Sequence, residues 1–174
     1  MFPDFKELLS VLNANKVKYL VVGGYAVSFH AQPRATKDLD IFVRPDADNA
    51  NALYDALTQF GAPIDGLAPH DLIERGRFFR MGAPPAMVDI LPEIKGVAFD
   101  EAWMRRVEAS VDADEDVKAY FISADDLIAA KRAAGRLQDL ADIEAIDKAR
   151  GRVPAGRAKR RRPPRKSPRK PRDH

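Results

Sequence analysis

Apolar residues recur along the chain with two different periods, and the periods mark out its elements. Phe5, Leu8, Leu9 and Leu12 fall at helical spacing within residues 2–16, with Asp4 near the start, which predicts a first amphipathic helix. Tyr19-Leu20-Val21-Val22 is a short run of strand formers that Gly23-Gly24 stops, and Tyr25 to His30 can then turn helical. From Asp38 to Val43 the pattern alternates, so Leu39, Ile41 and Val43 share one strand face while Asp38 and Asp40 share the other. Arg44-Pro45-Asp46 reads as a turn, with Asp46 capping a helix from Ala47 to about Phe60. Leu53, Ala56, Leu57 and Phe60 form its apolar stripe, and Gly61 is its stop signal.

Residues 62–76 read as a loop with a helical turn at Leu72-Ile73-Glu74; His70 lies there without a partner at ligand spacing. Two short strands follow, Arg77 to Met81 and Ala86 to Leu91, joined by Gly82-Ala83-Pro84-Pro85. A helix is expected from Asp100 to Val107, with Trp103 in the core. After an acidic turn at 112–116, read as a solvated loop, Val117 to Ile122 makes another strand. Ser123 caps a helix to about Ala134, Gly135 breaks it, and a last helix covers Leu137 to Ala149. The fold class is therefore α/β (α+β): a small mixed sheet with flanking helices, and a C-terminal helix pair closing one side of a cleft. One domain spans residues 1–150, with its core in 17–122 and the helix pair in 123–149.

Charge changes this picture at one point. Eight arginines, three lysines and one aspartate from Gly151 onward carry +10, which leaves −7 on residues 1–150 of a chain whose net charge is +3. Residues 151–174, with five prolines and almost no apolar side chains, lack the material for a core and are expected to be a disordered basic tail. Such a tail suits a phosphate backbone, so RNA is an expected partner; its lack of aromatics argues against base stacking. The chain has no cysteine, which excludes disulfides and thiolate chemistry. No signal peptide or membrane-length apolar run is present, and a cytoplasmic protein is the expectation.

The chemistry concentrates between Tyr19 and Leu91. Paired glycines at the start of a helix let a backbone approach a phosphate, and the helix dipole favours the anion. Asp38 and Asp40 lie about 6.8 Å apart along their strand, close enough to lean together over divalent cations. Oxygen-only ligands suit Mg²⁺. In the neighbouring strand, Asp89 points away from Val88 and Ile90 and supplies a third carboxylate.

The run Gly23-Gly24-Tyr25-Ala26-Val27-Ser28-Phe29-His30 and onward through Arg34, Thr36, Asp38 and Asp40 resembles the signature of nucleotidyltransferases of the DNA polymerase beta superfamily. It is most similar to the AbiEii-type abortive-infection toxin branch. Ala31 stands where that branch often has glycine, and Gly24 where the wider superfamily has serine. The resemblance implies two Mg²⁺ ions held by Asp38, Asp40 and Asp89, with Asp89 helping to deprotonate an attacking hydroxyl. It places an NTP substrate against Gly23, Gly24, Arg34, Thr36 and Lys131, with Asp139 near the cleft; Gln138-Asp139 departs from the usual Arg-Asp. It further implies a toxin-like role with an RNA acceptor, tRNA among them, and an antitoxin protein as partner. Two other readings stay open: transfer to a small molecule such as an antibiotic, and an idle fold that only binds nucleotide or RNA.

Overall fold

The computed structural model describes residues 1–112 and 117–151. The acidic loop beyond Asp112 and the basic tail beyond Gly151 lie outside the described residues. Among the described residues six α-helices run over Pro3–Ala14 (α1), Gly23–His30 (α2), Ala47–Phe60 (α3), Phe99–Met104 (α4), Ala124–Ala134 (α5) and Leu137–Ala149 (α6). Six strands run over Tyr19–Val22 (β1), Asp38–Val43 (β2), Phe79–Ala83 (β3), Ala86–Leu91 (β4), Val107–Ser110 (β5) and Lys118–Phe121 (β6). They form one mixed sheet in the order β3-β4-β2-β1-β6-β5. β2 runs antiparallel to β1 and parallel to β4, and β1 runs parallel to β6.

Local chemistry accounts for the element ends. Asp46 accepts a hydrogen bond from the Asn49 backbone N–H, and Gly61 takes the left-handed conformation that closes α3. Ser123 caps α5 in the same way through Asp126, and Gly135 ends it at φ 68°. The four residues of β1 are all buried, as expected for a central strand. Phe5, Leu8, Leu9 and Leu12 of α1 and Leu53, Ala56 and Leu57 of α3 are buried with them in a single core. Among the described residues no helix is long and apolar enough to cross a membrane.

Three expectations shift. The helix expected at 100–107 ends at Met104, and Val107–Ser110 instead pairs antiparallel with β6 as an exposed edge strand. That segment has one β-branched residue and little apolar content, so pairing rather than pattern creates it. The turn between β3 and β4 shrinks to Pro84-Pro85, because Gly82 and Ala83 remain in the ladder. Trp103 is half-buried: it stacks on Phe99 and carries the Arg106 guanidinium 3.9 Å from its ring. The loop at 62–76 contains a single 3-10 turn, Pro69–Ile73.

Asn49 is a buried polar residue that the apolar stripe of α3 gives no hint of. Its side chain accepts from Lys18 N–H at 2.7 Å and donates to Lys18 and Arg44 carbonyls at 3.0 Å each. It thereby ties the entry to β1 to the exit of β2 and fixes how the two strands meet. Asn49→Ala removes three buried hydrogen bonds at once and should cost about 2–3 kcal/mol. Urea denaturation of the variant against the native chain measures this, and Asn51→Ala, on the exposed side of the same helix, is the control.

Candidate active site

One row of cross-strand partners builds the site. Val22 pairs with Asp40, Asp40 with Asp89, and Asp89 with Arg80, across β1, β2, β4 and β3. Cross-strand partners stand on the same sheet face, so two carboxylates and a guanidinium line up side by side. Arg80 donates from Nε to Asp89 Oδ1 at 2.6 Å and from Nη2 to Oδ2 at 2.7 Å, a bidentate pair. Asp89 is only 7% exposed. Arg80's pKa is raised, first by its hydrogen bond to Asp89 and then by that carboxylate's charge.

Asp40 occupies the middle of the row. Burial, then the charges of Asp89 and Asp38, push its pKa up to about 6, while Lys131 and Arg80 pull the other way. Gly23 makes the position available. A Cβ on Gly23 would lie 1.8 Å from Asp40 Oδ2, and its φ of +60° is one that side chains rarely adopt. Gly24 is constrained less severely, by Thr36, whose Cγ2 and Oγ1 would both lie 2.8 Å from an added Cβ. The glycine pair thus lets Asp40 and Thr36 close against the backbone where α2 begins.

A cleft of about 610 Å³ opens in front of this row. Of the expected residues it is lined by Gly23, Asp40, Asp89, Lys131 and Asp139; Gly24, Arg34, Thr36 and Asp38 are not in its lining. Lys131 is buried, and its ammonium bonds to Asp139 at 3.1 Å and Asp142 at 2.7 Å. Arg34, in the loop before β2, reaches Asp142 at 3.3 Å. Asp139 also accepts from Arg136; burial raises its pKa, but the bonds from Arg136 and Lys131 outweigh this and lower it to about 2. His30 bonds to the Ile122 carbonyl at 2.7 Å, and burial lowers its pKa, so it joins the end of α2 to the strand end as a neutral ring. His70 is exposed beside Asp71, away from the cleft.

Sequence reasoning passed over Arg80 and gave no role to Arg136 or Asp142. The signal for Arg80 was the β3–β4 register, which sets it opposite Asp89. Arg136, 76% exposed by its side chain at the cleft rim, follows the Gly135 break.

A nucleotidyltransferase family of unknown function (DUF6036) matches residues 2–149. The chain belongs to that family. Comparison with curated proteins finds no match. Among solved structures, the fold is similar to the lincosamide antibiotic adenylyltransferase LnuA in its lincomycin-bound crystal structure, at TM-score 0.57 and 17% identity. That match covers 86% of this chain and 98% of LnuA. The antibiotic-resistance factor ANT(2'')-Ia, solved in solution, is similar at TM-score 0.52 and 11% identity, covering 85% of this chain and 83% of its own. At such identities the likeness is one of fold.

No group of three or more His, Cys, Asp or Glu among the described residues is arranged as a ready metal cage. Mg²⁺ asks for less, because it keeps waters and takes phosphate oxygens, and one or two carboxylates suffice. Paired Asp40 and Asp89, with Asp40 held at a raised pKa by burial and then by like charges, meet that requirement.

This electrostatic strain has a testable sign. A carboxyl with a folded-state pKa above its unfolded one binds its proton more tightly in the native protein. Ionising Asp40 therefore lowers stability, fully above pH 6 and not at all below about pH 4. Asp40→Asn should stabilise the metal-free fold by about 2 kcal/mol at pH 7.5, with the gain vanishing near pH 4. Thermal unfolding at both pH values measures it. Adding Mg²⁺ should stabilise the native chain and leave the variant nearly unmoved.

Proposed function

We propose that this nucleotidyltransferase moves a nucleoside monophosphate from an NTP to an acceptor hydroxyl in the cleft. The observation that carries the reading is the direct pairing of Asp40 with Asp89 on a cleft that Lys131 and Arg136 also line. The acceptor oxygen bonds to the α-phosphorus as the bond from that phosphorus to the α–β bridging oxygen breaks. Pyrophosphate leaves with the electron pair, and the hydroxyl proton passes to the Asp40–Asp89 pair. Arg80 orients Asp89 through its two hydrogen bonds, and burial with neighbouring carboxylates raises the pKa of metal-free Asp40. Asp38, Asp40 and Asp89 would hold Mg²⁺, two ions in the full arrangement, and bound Mg²⁺ would supply charge neutralisation between carboxylates and phosphates.

The nucleotide side is assigned to Gly23, Gly24, Arg34, Thr36 and Lys131, joined by Arg136. Gly23 and Gly24 open α2, whose positive end favours a phosphate. Arg34 and Thr36 set the loop behind them, through Asp142 and Gly24 respectively. Lys131 contributes its position more than free charge, since two carboxylates already hold it. Arg136, with an exposed side chain at the cleft, is placed to meet a triphosphate.

Two acceptors are each favoured by an observation. Of the structures similar in fold, one is a lincosamide antibiotic adenylyltransferase with lincomycin bound and the other an antibiotic-resistance factor, which supports a small hydroxylated acceptor. The +10 charge of residues 151–174 supports RNA, in the toxin-like setting of the AbiEii branch with an antitoxin partner.

The test is incubation with Mg²⁺ and each α-labelled NTP in turn, with total RNA or with hydroxylated small molecules. Asp38→Asn combined with Asp40→Asn should lower label transfer by about 10²-fold or more, and Asp89→Asn by a similar factor. Wild-type rates in the double variant would remove these residues from the mechanism. Ending the chain at Arg150 should weaken RNA labelling and its salt dependence, and leave NTP turnover unchanged.

A further inference from the structure

A second cavity of about 370 Å³ adjoins the cleft. The two share Phe78, Leu91, Glu93, Ile94 and Lys95 in their linings, so Phe78 stands at the boundary between them. Phe78 is 57% exposed, an unusual placement for a large aromatic whose neighbours Phe79 and Met81 are half-buried and buried. Its ring lies 5.5 Å below the Arg80 guanidinium, the same group that holds Asp89. Leu91 is two residues beyond Asp89 on β4, hence on the same sheet face and about 6.6 Å further along. The sheet therefore presents a charged row, Asp40-Asp89-Arg80, and beside it an apolar step made by Leu91 and Phe78.

The walls of the smaller cavity are fixed. Glu93 accepts from Gly76 N–H at 2.9 Å, and Arg77 pairs with Glu74 at 2.9 Å, which together hold the strand entry in place. A cavity of this size, apolar with a few polar groups, suits a small organic molecule.

We propose that this cavity is the acceptor subsite and that Phe78 selects a small hydroxylated molecule with an apolar ring face. This rests on the nucleotidyl-transfer reading. The ring lies against Phe78 and Leu91, and a hydroxyl one ring-width away reaches the Asp40–Asp89 pair for attack on the α-phosphorus. The opposing occupant, an RNA end, would also stack a base on Phe78. Its backbone would then run over a domain of net charge −7, where Arg77 is already paired with Glu74 and Lys95 is matched by Glu93 in the same lining. The small acceptor fits both the volume and the charge.

The experiment uses the full chain, Mg²⁺ and α-labelled NTP, with three acceptors compared. These are lincomycin, a panel of hydroxylated ring compounds, and a short single-stranded oligoribonucleotide. Slow NTP cleavage with water as acceptor is followed separately, because it reports the transfer chemistry without any acceptor bound. Label should enter a small ring compound, with Phe78→Ala raising its KM about tenfold or more. Phe78→Tyr should restore most of this loss, and neither variant should change water-dependent cleavage or NTP binding. Phe78 is exposed, so both variants should melt with the native chain.

Absence of any Mg²⁺-dependent NTP binding or cleavage would overturn the nucleotidyl-transfer reading itself. Three results overturn the subsite alone while that reading survives: NTP cleavage with no ring compound labelled, label entering only the oligoribonucleotide, or an unchanged acceptor KM in Phe78→Ala.

Discussion

Two carboxylates held side by side in adjacent parallel strands are the constraint on which this structure depends. Like charges directly opposite on a sheet repel, and Asp40 and Asp89 are direct partners with Asp38 two residues away. The surroundings offset that repulsion from three directions. Arg80 closes the row on β3, Lys131 adds its charge from α5, and the positive end of α2 begins beside Asp40. Gly23 contributes by omission, since any side chain there would displace the carboxylate. Strand order and site are thus one fact: β3-β4-β2-β1 is the order that lines up Arg80, Asp89, Asp40 and Val22.

The C-terminal helices serve the same row from across the cleft. Lys131 sits between Asp139 and Asp142, and Asp142 also meets Arg34 and Gln138. Burying such an ion cluster costs desolvation that its own attractions barely offset, so stability is a poor reason for it. Position is a better one. The cluster fixes α6 against α5 and, through Arg34, ties both to the loop that leads into Asp38. A shift of the helix pair would therefore be felt at the start of β2.

What was legible in the sequence was what local spacing determines. Alternation alone put Asp38 and Asp40 on one face, and Val88 and Ile90 forced Asp89 to the other side of β4 from themselves. Caps at Asp46 and Ser123 and stops at Gly61 and Gly135 were readable for the same reason. Partners set by register were not. Arg80 is an ordinary strand arginine until the hairpin pairs it with Asp89, and Asn49 looks solvent-facing until β1 and β2 close over it. Gly23-Gly24 was read as space for a phosphate; at Gly23 that space already holds an oxygen of Asp40. β5 carries no pattern of its own, because an edge strand borrows its hydrogen bonds from β6.

Counting charge around the cleft explains where selectivity has to come from. Arg34, Lys95, Lys131 and Arg136 against Glu93, Asp139 and Asp142 leave one positive charge, while Arg80 against Asp38, Asp40 and Asp89 leaves two negative. The cleft is therefore net negative and has no electrostatic pull of its own on a triphosphate. Nucleotide and cation have to enter as a neutralising pair, and any NTP brings the same phosphates, so this step distinguishes substrates weakly. The base and the acceptor must be told apart by shape and apolar contact instead. On this sheet face the step formed by Leu91 and Phe78, beside the charged row, offers such a contact.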